Sequence, residues 1–196
     1  MTDTLKEKSL LFRVQTTRDR EAFAELVALN QSRLRLFLLR LCRNHALADD
    51  IAQETFVTAY QRIGTFTGTG SFQGWLIRIA HRRFLLHLRQ EKREQRVLSD
   101  LQQSTGPDAH HYEAITPLQK DLERAFSSLT PGEAATITLC HSYGFSHQEV
   151  ADILDTPLGT VKSQIRRGLE KLRSILVETP GTSDTPDAGT NRKEAV

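Results

Sequence analysis

The sequence predicts an all-α chain with two small helical domains joined by a flexible linker. One is a four-helix N-terminal bundle, the other a C-terminal helix-turn-helix domain. Three observations carry this expectation. Apolar residues recur at steps of three and four nearly throughout, and no segment alternates as a strand would. Cap residues recur ahead of these periodic runs: Asp19, Asn44, Ser71, Thr130 and Ser146. A polar stretch from Glu94 to Ile115, with Gly106 and Pro107, breaks the period midway.

The elements follow in order. A first helix is expected over Thr4 to Gln15. Asp19 caps a second, Arg20 to Cys42, whose Phe23, Leu26, Val27, Leu34, Phe37, Leu38 and Leu41 form a broad apolar face. Asn44 caps a third, His45 to Ile63, with Leu47, Ile51, Thr55, Ala59 and Ile63 in step. Gly64 to Gly70, GTFTGTG, is too rich in Gly and Thr to be helical. Ser71 caps a fourth helix to about Arg93, with Phe72, Trp75, Leu76, Ile79 and Arg83 or Leu86 on one face. Residues 1–93 thus form one domain, 94–115 the linker and 116–177 the second domain. The remainder, 178–196, is polar and Pro/Gly-rich and is expected to be a disordered tail.

In the second domain Thr116 to Ser128 is amphipathic. Thr130, Pro131 and Glu133 make a capping box with Pro at the first helical position, and Gly144 stops that helix near Tyr143. Ser146 and Glu149 make a second capping box. After the turn at Asp155, Thr156 should cap and Pro157 open the last helix. There Leu158, Val161, Ile165, Leu169, Leu172 and Leu176 form the apolar stripe. A short helix crossing a longer basic one is the helix-turn-helix arrangement, whose second helix enters the DNA major groove.

Charge sharpens this. The whole chain of 196 residues carries only +2, so any nucleic-acid surface depends on local clustering. From Pro157 to Arg173 the cations Lys162, Arg166, Arg167, Lys171 and Arg173 face one anion, Glu170. From Ser71 to Arg93 there are Arg78, Arg82, Arg83, Arg89, Lys92 and Arg93 against Glu91, interleaved with aromatics. Cations for phosphates and aromatics for unstacked bases suit a nucleic-acid strand. A basic helix face is also a common solvated surface. Two such helices on tethered domains favour DNA, because each grip raises the effective concentration of the other. The third helix is opposite in sign, with Asp49, Asp50 and Glu54 near its start. Those acids suit the helix dipole, and they equally suit a basic protein partner.

Other classes fit less well. No apolar run is long enough for a membrane span, and no secretory leader is visible, so the expected location is the cytoplasm. Cys42 and Cys140 are expected to be buried thiols. Cys42 with His45, or Cys140 with His141 and His147, supplies too few ligands for zinc. Neither a metal nor a cofactor is expected, and no nucleophile stands beside the acids as an enzyme would need.

The order of these segments resembles the extracytoplasmic-function (ECF) group of bacterial RNA polymerase sigma factors, from about Phe23 to Leu176. ADDIAQETFVTAYQRI resembles the group's core-polymerase-binding helix. FQGWLIRIAHRR is similar to its −10 promoter segment, and FSHQEVADILDTPLGTVKSQIRRGLEKLR to its −35 helix-turn-helix. The resemblance implies a transcription initiation factor, not an enzyme. Asp49, Asp50, Gln53, Glu54 and Phe56 would dock on core RNA polymerase. The loop Gly64 to Ser71 would capture an unpaired −10 base. Thr67, Ser71, Trp75, Arg78, His81, Arg82, Arg89 and Arg93 would serve the −10 element. Ser146, Thr160, Lys162, Ser163, Arg166, Arg167 and Lys171 would contact the −35 duplex. The implied partners are core polymerase, promoter DNA and an anti-sigma factor. Arg82 and Leu86 depart from the pattern, standing where the group usually has Asn and Asp. A helix-turn-helix regulator that binds operator DNA without polymerase is the alternative. It shares the segment from Ser146 onward and leaves the acidic helix and the Trp-and-Arg helix unexplained.

Overall fold

The computed structural model describes residues 2–99, 122 and 124–177, and structural statements below concern these. The proposed linker's greater part, most of the helix expected over 116–128, and the tail lie outside them. Among the described residues there are helices and no strand.

Helix α1 runs Thr2–Thr17, α2 Arg20–Cys42 and α3 His45–Arg62. The α2 start is set by Asp19, whose carboxylate accepts from the Glu21 and Ala22 N–H groups at 2.9 and 3.0 Å. Its end is set by Arg43 in the left-handed region, φ 54°. Asn44 then accepts from the Leu47 N–H at 3.1 Å and starts α3, so two residues separate these neighbouring helices. A 3-10 turn, Ile63–Thr65, ends α3. Gly68 and Gly70 carry the loop through φ 78° and 80°, where a side chain would be strained. Ser71 accepts from the Gly74 N–H at 3.0 Å and caps α4, Phe72–Ser99, which extends past the Arg93 expected from its period.

The second half begins with α5, Pro131–Ile137, opened by the Thr130–Glu133 capping box and continued by a π turn, Thr138–Ser142. Helix α6, His147–Leu154, starts on the Ser146–Glu149 capping box and ends at Asp155, φ 53°. Helix α7 spans Leu158–Val177. One local expectation differs. The Thr156 hydroxyl does not cap α7 but donates back to the Leu154 carbonyl at 3.1 Å. The Pro157 carbonyl takes the first bonds of α7, from the Thr160 and Val161 N–H groups at 2.9 and 3.1 Å. A short hydroxyl side chain can serve either helix end, and here the α6 end wins.

Three apolar clusters hold these helices. Leu10, Leu11 and Val14 of α1 pack with Ala22, Leu26, Ile63, Phe66 and Phe72. Ala125, Leu129, Ala134, Ile137 and Leu172 form a second. The third runs through both halves: Leu34, Phe37, Leu38, Leu76 and Ile77 share it with Ala135, Leu139, Val150, Ile153 and Val161. Polar contacts reinforce the join. Tyr143 donates to the Arg33 carbonyl, Arg40 to Ser142 Oγ at 2.6 Å, and Arg43 to the Leu129 carbonyl at 2.6 Å. The Arg40 guanidinium also lies 5.0 Å from the Phe126 ring centroid.

Helix α5 crosses closely on α7. A Cβ added at Gly168 would overlap Ile137 Cδ1 and come within 3.3 Å of Glu133 Cβ. Both neighbours are buried, so neither can step aside freely. Gly168→Val is expected to destabilise the fold by about 2 kcal/mol or more through overpacking. Thermal or denaturant unfolding measures this, with no change expected in the helical signal of the native state.

Candidate nucleic-acid and polymerase interface

Three surfaces hold the residues singled out from the sequence. On α3, Asp49, Asp50, Gln53 and Glu54 are all exposed. Asp49 is held by Arg35 through two bonds, 2.5 and 2.8 Å, and Glu54 lies 3.3 Å from Arg83. Phe56 does not join them. It is half-buried against the shared core, because its place in the helical period points inward. Val57 was missed: it is 53% exposed, in step with Asp50, Gln53 and Glu54, and gives the acidic face an apolar centre. It lies off the row of Leu47, Ile51, Thr55, Ala59 and Ile63, and an apolar residue among acids carries no signal of a contact in its type alone.

The second surface is the loop after α3 with the outer face of α4. Thr67 and Ser71 are exposed, and the Thr67 and Thr69 hydroxyls bond at 2.7 Å. Trp75 is half-buried, its ring 5.6 Å from that of Phe66 and 5.7 Å from that of Phe72. Arg78 is half-buried, while Arg82, Arg89 and Arg93 are exposed along α4. Leu86, expected on the core face, is 55% exposed, while Arg83 turns inward to Glu54 and to Thr58 Oγ1 at 2.8 Å.

His81 requires a correction. It is 9% exposed, and burial together with the Arg82 charge pushes its pKa down to about 4. A neutral, enclosed imidazole offers no charge to a phosphate, so His81 is a packing residue of α4 rather than a strand contact.

The loop and α4 face the helix-turn-helix across an open cleft. Thr67, Ser71, Trp75, Arg78 and Arg82 line one side, and Glu149, Asp152, Asp155 and Pro157 the other. Arg78 donates to the Asp152 carbonyl at 2.5 Å, and Arg82 lies 3.6 Å from the Asp155 carboxylate. A Cβ at Gly74 would sit 3.1 Å from Ile153 Cδ1, so the helices are close. The cationic side of α4 therefore meets the acidic side of α6.

The third surface is α7. Lys162, Arg166 and Arg167 are exposed; Thr160 and Ser163 are half-buried, with the Ser163 hydroxyl on the Thr160 carbonyl at 2.9 Å. Arg166 lies 3.3 Å from Glu170. Two candidates also have structural work. Lys171 bonds the buried Glu133 carboxylate at 2.8 Å. Burial alone would raise the Glu133 pKa, but Lys171 and the Thr130 N–H and hydroxyl hold it below the usual carboxylate range. Ser146 is committed to its capping box, bonding Glu149 at 2.8 Å.

Among the described residues no group of three or more His, Cys, Asp or Glu is placed to hold a metal ion. Both thiols are half-buried rather than fully buried; burial pushes Cys42 up to about 12 and raises Cys140. No helix among the described residues is long and apolar enough to cross a membrane.

Comparison with known proteins matches this geometry. The family profile for Sigma-70 region 2 matches residues 26–94, and that for Sigma-70 region 4 matches 119–172. The chain is 30% identical over 185 residues to the ECF RNA polymerase sigma-E factor of Haemophilus influenzae, covering 89% of this chain and 97% of that one. This chain belongs to the ECF RNA polymerase sigma factors. It is also 33% identical to ECF RNA polymerase sigma factor SigE of Mycolicibacterium smegmatis, over 79% of this chain and 61% of that longer one. The solved sigma factor RpoE of Bartonella quintana, in complex with the anti-sigma factor NepR, superposes with a TM-score of 0.66 at 25% identity. That match covers 79% of this chain and 96% of the other. In this sigma factor α2 to α4 thus fall mainly in region 2, and α5 to α7 in region 4, while α1 precedes both matched spans.

The buried His81 has a consequence for the sigma factor's stability. An unfolded imidazole titrates near about 6.5, so as pH falls the unfolded chain takes up this proton first. The contribution is fully present above about 6.5 and is lost as pH falls toward the folded value of about 4. Denaturant unfolding across pH 7 to 4 should show a loss of roughly 3 kcal/mol in the wild type that His81→Leu lacks.

Proposed function

We propose that this sigma factor divides promoter recognition between two surfaces and leaves a third for polymerase. The exposed face of α3, Asp50, Gln53 and Glu54 around Val57, docks on core RNA polymerase. The loop 64–71 with Trp75, Arg78, Arg82, Arg89 and Arg93 takes the −10 strand. Helix α7 places Thr160, Lys162, Ser163, Arg166 and Arg167 in the −35 major groove. The observation that carries this reading is the sign pattern. Two cationic helices lie in separate sequence units, while an acidic face stays open on a third. The protein contributes binding and strand separation rather than catalysis, and works in the cytoplasm beside polymerase. The Bartonella relative's complex supports an anti-sigma partner for this chain as well. The region 2 match disfavours an operator-binding regulator, which has no use for that half.

The cleft adds a condition. Arg78 and Arg82 cannot hold the Asp152 carbonyl and the Asp155 carboxylate while they also hold promoter phosphates. Promoter binding therefore requires α6 to leave α4, and core polymerase favours this by seating the two regions apart. In a gel shift, promoter fragments should bind the free chain weakly and the polymerase-bound chain tightly; tight binding without polymerase would refute the reading. Lys162→Ala and Arg166→Ala should each reduce −35-dependent transcription by about tenfold, leaving core binding intact. Loss of core binding in a folded variant would contradict the division of surfaces.

Gly74→Leu tests the cleft itself. Its side chain meets Ile153, already 3.1 Å from a Cβ at that position, and should push α6 off α4. Small-angle scattering should show a larger radius of gyration with unchanged helical content.

A further inference from the structure

We infer that Gln15 of α1 is a positioning residue for −10 recognition, acting through the loop that follows α3. It lies outside both matched spans, 26–94 and 119–172. Its side-chain amide donates to two carbonyls, Ile63 at 3.1 Å and Phe66 at 2.7 Å. These sit at the end of α3 and just past its 3-10 turn, where the Ile63 carbonyl also takes the Phe66 N–H at 3.1 Å, so Gln15 ties both ends of that turn together. Phe66 is the last anchored residue before the exposed loop, and Ser71 with Phe72 is the anchor beyond it. The Gly68 and Gly70 turns between them have little stiffness of their own, so the posts set where Thr67 to Gly70 can go.

The coupling reaches the neighbouring base-stacking surface. The Phe66 ring touches Trp75 at 5.6 Å and Phe72 at 5.7 Å between centroids. Leu10, Leu11 and Val14 hold α1 on the same cluster, so the amide is delivered from a fixed helix. Gln15 touches no expected DNA position itself; it fixes the carbonyl from which the loop hangs.

This rests on the loop's proposed −10 role, and the experiment separates the two. Gln15→Glu keeps the shape and removes the donors; Gln15→Lys restores a donor, and all three residues have similar helix propensity. Full-length variants with core polymerase are assayed on a promoter library randomised across the −10 element. Gln15→Glu is expected to lower −10 base selectivity roughly three- to tenfold, the range for losing a hydrogen bond of this kind. Core affinity and −35 dependence should be unchanged, and Gln15→Lys should recover most of the selectivity. Trp75 is the only tryptophan, so its emission should shift in Gln15→Glu and return in Gln15→Lys. Unchanged selectivity in Gln15→Glu, where Thr67→Ala or Ser71→Ala lowers it, overturns the role of Gln15 and leaves the loop reading standing. No effect of Thr67→Ala and Ser71→Ala overturns the loop reading and this inference with it. A parallel fall in core affinity and −35 dependence in Gln15→Glu marks a general loss of fold and also overturns it.

Discussion

Burial of one face of α4 is the constraint on which the rest depends. Leu76, Ile77, Ala80 and Phe84 are all within 1% of complete burial, and each large apolar side chain so enclosed contributes about 1.5–3 kcal/mol. That commitment fixes the rotation of the helix. With it fixed, Trp75, Arg78, Arg82 and Arg89, at steps of three, four and seven, must run along the other side. The same rotation turns His81 inward and Leu86 outward. The cationic surface is thus a by-product of core packing, and it is as rigid as that packing. Its loop is held in the same way. Phe66 and Phe72, on either side of the flexible turns, are buried in the cluster that α1 completes.

What could be read from the sequence was mostly local. The caps at Asp19 and Asn44 and the two capping boxes act within three residues, so residue type and spacing suffice to place them. Thr156 shows the limit even there, because a hydroxyl between two helices has two sets of backbone partners. The helical period gave the inward faces well in α2, where every predicted large apolar position is at least partly buried. It failed where chemistry and rotation disagree. A histidine among arginines reads as a cation, yet His81 is enclosed, and the exposed Val57 was not singled out at all. Lys171, read as a DNA contact, also bonds the buried Glu133. None of these features lies in the residues themselves; each depends on what another helix brings near.

The same limit explains the shared core. Periodicity shows that α2, α4, α5 and α6 each have an apolar face, not which faces meet. Ala135, Leu139 and Val150 are as consistent with a separate region 4 core as with the joint one. Charge pattern was the overlooked clue. Glu149, Asp152 and Asp155 lie in or just after the first helix of the helix-turn-helix and oppose the sign of α4, which is what an intramolecular contact requires.

The polar part of that contact is weak beside the apolar core that the two halves share. Arg82 and Asp155 are both well exposed, so their pair contributes little, about 0–1 kcal/mol. Arg78 adds one charge-assisted bond to a carbonyl, on the order of 1.5–3 kcal/mol, and Ile153 adds apolar contact against Gly74. Salt screens the exposed pair. It weakens binding to a promoter more steeply, because every neutralised phosphate adds to the salt slope. Raising salt therefore lowers DNA affinity faster than it loosens the closed form. The shared core, rather than these charges, therefore carries most of the closure, and the charges mainly set which faces of α4 and α6 meet.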